Sequence, residues 1–296
     1  MHKTKLSATI LAASLLTLPI SDVASAEVTS GQVSQQSEAV ETTEVNLGQE
    51  NVMSVAWYQN ATEAKALYAQ GYNTAKESLS EKIKKHKGGK KLAIALDIDE
   101  TVLDNSPYQG YNALYNKSFP EGWHEWVSSA QAKPVYGAKD FLDYAHQHDV
   151  EIFYISDRSH EKDLNATIKN LKKEKLPQAD KKHVLLKKEG EHGKSERRDQ
   201  VRNNYNLVML FGDNLLDFDE PKAATPEARD TFLKQHEDDF GSKYIIFPNP
   251  MYGSWESTLY QNDYSIDAHE KDQLRKESIQ FFNPQNNKVQ NYQLDA

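Results

Sequence analysis

The sequence predicts an α/β fold: a three-layer, Rossmann-like sandwich around a central, mostly parallel sheet, with a small helical accessory or cap region. Two patterns carry this. Short apolar runs recur at residues 92–96, 150–155, 184–186, 207–211 and 244–247. Between them, apolar residues return at three- and four-residue steps, the period of a helix. Strands that alternate with helices pair in parallel, since each crossover needs room for a helix. The composition supports a packed core, with 38% of the 296 residues hydrophobic and 10% aromatic.

The elements follow in order. Residues 1–26 read as a signal peptide. His2, Lys3 and Lys5 make a basic start, Leu6 to Ile20 an apolar run, and Ala24-Ser25-Ala26 a small-x-small cleavage pattern. The run is short for a membrane span. The expected location is therefore secreted, with no membrane attachment after cleavage. Residues 27–50 are polar without an apolar period and read as a disordered spacer. The folded domain is expected over 51–282, with helical accessory parts at about 52–86 and 106–132 and an α/β core at about 90–105 and 133–262. In the first part Ala56, Ala64, Leu67, Tyr68, Tyr72, Ala75 and Leu79 recur at helical steps; Gly71 is the weak point and Gly88-Gly89 the end. Trp123 and Trp126 share one helical face, where core packing is the default reading and a substrate wall the alternative. Residues 283–296 read as a polar tail.

Charge and cysteine content narrow the function. The formal net charge of −9 argues against a nucleic-acid polymer as partner, which calls for a basic footprint. The chain has no cysteine, which excludes disulfides, thiolate zinc sites, a cysteine nucleophile and a lipid-bearing N-terminal cysteine.

In open parallel sheets the site lies beyond the carboxyl ends of the strands. Asp97-Ile98-Asp99-Glu100-Thr101-Val102 follows the first run, Ser156-Asp157-Arg158 the second, and Gly212-Asp213-Asn214-Leu215-Leu216-Asp217 the fourth; Gly193-Lys194-Ser195 lies between the last two. Asp97 and Asp99, two apart, face the same way on an extended backbone. Asp213 joins them from a neighbouring strand. Carboxylates so placed repel one another unless a cation lies between them, and an all-oxygen site suits Mg²⁺. An isolated Asp-x-Asp is more often a solvated turn; the second acidic group after another strand weakens that reading. A calcium loop of the EF-hand kind fails, because Val102 and Tyr108 stand where it needs Gly and Glu.

Asp97-x-Asp99-x-Thr101 followed by Val102-Leu103-Asp104 resembles the first motif of the haloacid dehalogenase (HAD) superfamily phosphatases. Ser156, Lys194 and the 212–217 segment look like the second, third and fourth. More narrowly the chain is similar to the class C non-specific acid phosphatases, the lipoprotein e(P4)-like group. Three stretches support this: Ala56-Trp57-Tyr58-Gln59 with Ala64-Lys65-Ala66-Leu67-Tyr68, Ile155-Ser156-Asp157-Arg158, and Pro248-Asn249-Pro250-Met251-Tyr252-Gly253-Ser254-Trp255-Glu256. The resemblance runs from about Met53 to about Asn262. The absent lipid-bearing cysteine departs from the lipoprotein members.

The resemblance implies a magnesium-dependent acid phosphatase acting on nucleoside monophosphates and other small phosphomonoesters. Asp97 would be the nucleophile, forming an aspartyl-phosphate. Asp99 would be the general acid and base, and would reach the metal through its backbone carbonyl. Asp97 and Asp213 would ligate Mg²⁺ by side chain, with Asp217 holding a metal-bound water or orienting Asp213. Ser156 would donate to a phosphoryl oxygen and Lys194 stabilise the developing charge. The surrounding run, Lys187 to Arg198, otherwise reads as a solvated face. Ser159 is expected to cap a helix. Tyr252 would stack on a flat leaving group, and Trp126 is the second substrate-binding candidate. A homodimer is compatible with the resemblance. Two other functions remain open at this point: a phosphotransferase passing the phosphoryl group to an alcohol, and a binding protein that retains the fold without catalysis. The complete set Asp97, Asp99, Ser156, Lys194 and Asp213 disfavours the second.

Overall fold

The computed structural model describes residues 45–218 and 225–293. The expected signal peptide and most of the expected spacer lie outside the described residues. The first helix, α1 (Leu47–Asn60), begins within the stretch read as spacer, because the Asn46 side chain accepts from Gln49 N at 2.9 Å and caps it. Helix α2 (Thr62–Lys85) runs straight through Gly71. That glycine is a packing requirement: a Cβ there would stand 2.5 Å from Phe247 Cε1.

Strand β1 (Leu92–Leu96) enters the sheet, and a two-residue strand β2 (Leu103–Asp104) follows. Helices α3 (Ser106–Tyr115) and α4 (Trp123–Ser129) form the cap. It closes at β3 (Lys133–Pro134), which pairs antiparallel with β2. Then come α5 (Ala138–Gln147), β4 (Glu151–Ser159) and α6 (His160–Lys173). Ser159 caps α6 as expected, its hydroxyl accepting from Lys162 N at 3.2 Å. The chain continues through β5 (Val184–Lys187), α7 (Ser195–Asn204), β6 (Asn206–Gly212), α8 (Pro226–His236) and β7 (Tyr244–Ile246). It ends with the short α9 (Ser254–Ser257), α10 (Ala268–Glu277) and a hairpin of β8 (Gln280–Asn283) and β9 (Lys288–Asn291). The hairpin occupies part of the expected polar tail. Pro284 to Asn287 supply the turn, with Asn287 at a φ of 53°.

The five long-range strands lie in the order β5-β4-β1-β6-β7, and every neighbouring pair is parallel. The expected Rossmann-like sandwich is therefore present. Successive side chains of β1 serve opposite faces. Leu92, Ile94 and Leu96 pack with Tyr72 and Leu79 of α2, Phe141 and Leu142 of α5, and Leu171 of α6. Ala93 and Ala95 face Val201 of α7, Phe218, Phe232 of α8 and Tyr244. The large-small alternation of Leu-Ala-Ile-Ala-Leu leaves room for aromatic rings on the second face. Helix α2 is thus a layer of the sandwich, whereas residues 52–86 were expected to be accessory. The accessory part is α3 and α4, with α1 packed against α3. Among the described residues no helix is long and apolar enough to cross a membrane.

Candidate active site

The connection after β1 moves the chain to β4 and β5 on one side; after β5 it returns to β6 on the other. The crevice of such a sheet opens where these directions diverge, between β1 and β6. Asp97 follows β1 there, its N–H donating to Phe211 O at 2.9 Å. Asp213 follows β6, and a turn at Leu215–Asp217 brings in Asp217. One carboxylate oxygen from each of Asp97, Asp213 and Asp217 lies within 4.8 Å of the others. The close approach of Asp217 needs Gly212, since a Cβ there would meet Asp217 Cβ at 2.2 Å.

Lys194 stands at the start of α7 and donates to both Asp97 and Asp217, the latter at 2.6 Å. Burial works against its ammonium, yet Asp217, Asp97 and Asp157 together raise its pKa. Burial also pushes the Asp97 carboxyl up; Lys194 pulls it down, and Asp217, Asp99 and Asp213 push it further up. Asp213 is pushed up to about 7 by burial and the Asp217 charge, against the hydrogen bond from Asn249 Nδ2 at 2.8 Å. Buried carboxyls crowded by neighbouring carboxylates, as Asp97 and Asp213 are, form a group that a cation stabilises. Their oxygen-only donor set fits a hard divalent ion.

Asp99 points elsewhere. Arg158 Nη2 and Nε donate to its Oδ1 at 2.7 and 3.0 Å, and Asn105 Nδ2 donates to the same oxygen at 2.7 Å. The Ser156 hydroxyl donates to Asp99 Oδ2 at 3.1 Å. Ser156 is fully buried and does not line the cleft, so its hydroxyl reaches a phosphoryl oxygen only by leaving Asp99. The side-chain cluster is therefore Asp97, Asp213 and Asp217: Asp217 stands among the carboxylates rather than behind Asp213, and the Asp99 carboxylate lies outside.

The Lys187–Arg198 run is not wholly a solvated face. Arg197 is buried and holds Ser156 O at 2.6 Å and Gly193 O at 2.7 Å, tying the end of β4 to the turn that presents Lys194. Arg198 is buried too and holds the carbonyls of Leu216 and Asp217, each at 3.3 Å. Sequence reasoning assigned neither a role, nor Arg158, Asn105, Asn249 or Glu100. Arg158 and Asn249 did lie in the quoted stretches 155–158 and 248–256, the one signal that pointed to them.

A wide cleft of about 1500 Å³ opens over the site, lined by Asp97, Asp99, Lys194, Asp213, Asp217 and Tyr252 among others. The cap contributes Trp123 and His124 to this wall. Trp126 does not line it; its indole Nε1 donates to Asn105 Oδ1 at 2.7 Å. Of the two cap tryptophans it is Trp123 that reaches the cleft, its ring 5.5 Å from the Arg158 guanidinium. Tyr252 turns its hydroxyl to Glu100, whose own carboxyl burial pushes well above the usual range, with the Asp99 and Asp213 charges adding.

The family model for the HAD superfamily, subfamily IIIB (acid phosphatase), matches residues 13–255. The chain belongs to this family. A solved class C acid phosphatase from Bacillus anthracis is 42% identical, with a TM-score of 0.77, over 81% of this chain and 100% of that one. The Bacillus anthracis class C acid phosphatase with tungstate bound is 43% identical, with a TM-score of 0.78 and the same coverage. Membership brings a fold capable of phosphomonoester hydrolysis by an aspartate nucleophile, and the geometry around the Asp97 carboxylate suits that chemistry.

Proposed function

We propose that this chain is a secreted, magnesium-dependent acid phosphatase that hydrolyses nucleoside monophosphates and other small phosphomonoesters, with Asp97 as nucleophile. The observation that carries the reading is Asp97 itself: a buried carboxylate at the end of the central strand, paired with Lys194 and clustered with Asp213 and Asp217. The tungstate bound to the relative is a tetrahedral oxyanion like phosphate. A phosphoryl group beside Asp97 on this chain would meet the Lys194 ammonium.

Asp97, Asp213 and Asp217 would hold Mg²⁺, with the Asp99 carbonyl as the further expected ligand. The ion supplies charge neutralisation for an anion approaching three carboxylates. The remaining chemistry belongs to the side chains. An Asp97 oxygen attacks phosphorus and the ester P–O bond breaks, leaving an aspartyl-phosphate. The departing alkoxide takes its proton from Asp99, which Arg158 and Asn105 hold in place. Water then attacks the aspartyl-phosphate and gives a proton back to Asp99, so inorganic phosphate leaves and Asp97 is restored. Lys194 stabilises negative charge on the phosphoryl oxygens. Ser156 fixes Asp99, and Tyr252 forms a wall for the leaving group. Secretion follows from the Ala24-Ser25-Ala26 cleavage pattern.

The test is phosphate release from nucleotide, sugar and aryl phosphates at pH 5 and 7. Release is expected to stop in excess chelator, return with Mg²⁺, and be absent from a folded Asp97→Asn protein. Unchanged release in chelator refutes the metal site, and an active Asp97→Asn variant refutes the nucleophile.

A further inference from the structure

Glu100 is the fully buried acid of the loop that follows Asp99. It has no Lys or Arg partner among its described contacts. Its backbone has a φ of 58°, which folds the loop back so that Glu100 N donates to Leu103 O at 2.9 Å. The Tyr68 hydroxyl closes on the Glu100 carbonyl from α2. The two carboxyl oxygens then face different parts of the site. Oε1 accepts from Asn105 N at 2.6 Å, at the entrance to the cap. Oε2 accepts the Tyr252 hydroxyl, from the loop after β7, 152 residues away. A buried acid of this kind is stable only with its hydrogen bonds made, so each partner is held firmly.

The partners are the informative part. Tyr252 lines the cleft. Asn105 carries on with its side chain: Nδ2 donates to Asp99, while Oδ1 accepts from Trp126 and, at 3.3 Å, from Arg158 Nη2. One carboxyl group thus joins the wall that meets the leaving group to the residue that anchors the acid and base.

We propose that Glu100 is a positioning residue for leaving-group selection: it fixes the Tyr252 ring as a flat wall and, through Asn105, holds Asp99 in register with that wall. This rests on Tyr252 as a leaving-group contact. Loss of the link lets the ring turn away from a planar leaving group. The loss is felt in KM for planar esters and much less for a small aliphatic ester, which does not fill the wall. Gln retains one acceptor for Asn105 N and a donor toward the Tyr252 oxygen, so it restores the link where Ala does not.

The experiment compares Glu100→Ala, Glu100→Gln, Tyr252→Phe and the Ala/Phe double variant. The substrates are a nucleoside monophosphate, 4-nitrophenyl phosphate and glycerol phosphate. In Glu100→Ala and Tyr252→Phe, KM is expected to rise about tenfold for the two planar esters, the effect of one hydrogen bond. The rise for glycerol phosphate is severalfold smaller. Glu100→Gln recovers most of the loss, and the double variant is no worse than the worse single one. Calorimetric Kd values for the nucleoside monophosphate in an Asp97→Asn background repeat the comparison without turnover. Loss of affinity there with no hydrolysis by the parent protein would overturn the phosphatase reading and leave this one standing. An equal rise in KM for all three esters overturns the positioning role, as does multiplicative loss in the double variant. Should Glu100→Ala not fold, Tyr252→Phe decides alone: unchanged KM for the planar esters overturns the proposal.

Discussion

Replacing Gly212 by Ala adds one methyl group at the most crowded point of the site. That Cβ would stand 2.2 Å from Asp217 Cβ and Oδ2 and 2.5 Å from its Cγ, so Asp217 as a whole must move. It is not free to do so. Its Oδ1 accepts from Lys194 at 2.6 Å, and its Oδ2 accepts from Asn214 N at 3.0 Å within a capping box. Moving it forfeits a charged hydrogen bond worth about 2 kcal/mol and a cap worth about 1 kcal/mol. Residual overlap adds about 1 kcal/mol. The expected loss is therefore about 4 kcal/mol of unfolding free energy, large for a single methyl group. Urea titration followed by far-ultraviolet circular dichroism measures it. Phosphate release should fall at least about tenfold in the same protein, because Asp217 leaves the carboxylate group. A loss below about 1 kcal/mol with activity within about twofold would show that Asp217 is not pinned, and would refute the packing argument.

Arg158→Met should lower kcat about 10- to 100-fold with a smaller change in KM, since it releases the Asp99 carboxylate from two of its donors. Arg158→Lys should not rescue it, because an ammonium cannot reproduce the two-pronged contact; steady-state kinetics of both variants check this. A pH effect on stability is expected far from the site. Partial burial favours the neutral form of Glu151, but hydrogen bonds from Lys91, His183 and Lys182 outweigh it and hold the carboxyl down at about 2. Its contribution is present above the ordinary value of 4.5 and is lost as pH falls from there through about 2. The two lysine heads are well exposed, so about 2 kcal/mol is expected. Denaturant titrations of Glu151→Gln against the parent should differ at pH 6 and converge at pH 2.

The sheet was legible because its central strands are buried on both faces and therefore read as unbroken apolar runs. Asp97 and Asp213 were legible for the same reason, as polar residues that end such runs. Arg197 and Arg198 were not. A charge run looks alike whether it faces water or reaches inward to backbone carbonyls, and only the fold shows that Ser156 O and Asp217 O lie within reach. Glu100 and Asn105 were hidden because, beside their bonds to each other and to Asp99, the partners that tie them to the cleft and cap, Tyr252 and Trp126, lie in other segments. Asp217 was expected to hold a metal-bound water or orient Asp213, and nothing in the chain shows how closely Gly212 lets it approach. The β8–β9 hairpin was missed because its strands bury little apolar surface, with Phe282 and Val289 largely exposed.

The parallel order of the sheet also sets when the protein gains its chemistry. Local contacts form first in a folding chain, and pairing between distant segments comes later. Asp97 and Lys194 are 97 residues apart, and Glu100 and Tyr252 are 152 apart. Lys194, Asp213 and Asp217, which surround the Asp97 carboxylate, therefore arrive from segments synthesised well after it. A growing or still unfolded chain holds Asp97 but not the site. The carboxylate group is complete only where β6 lies beside β1, and the Tyr252 wall only where β7 lies beside β6.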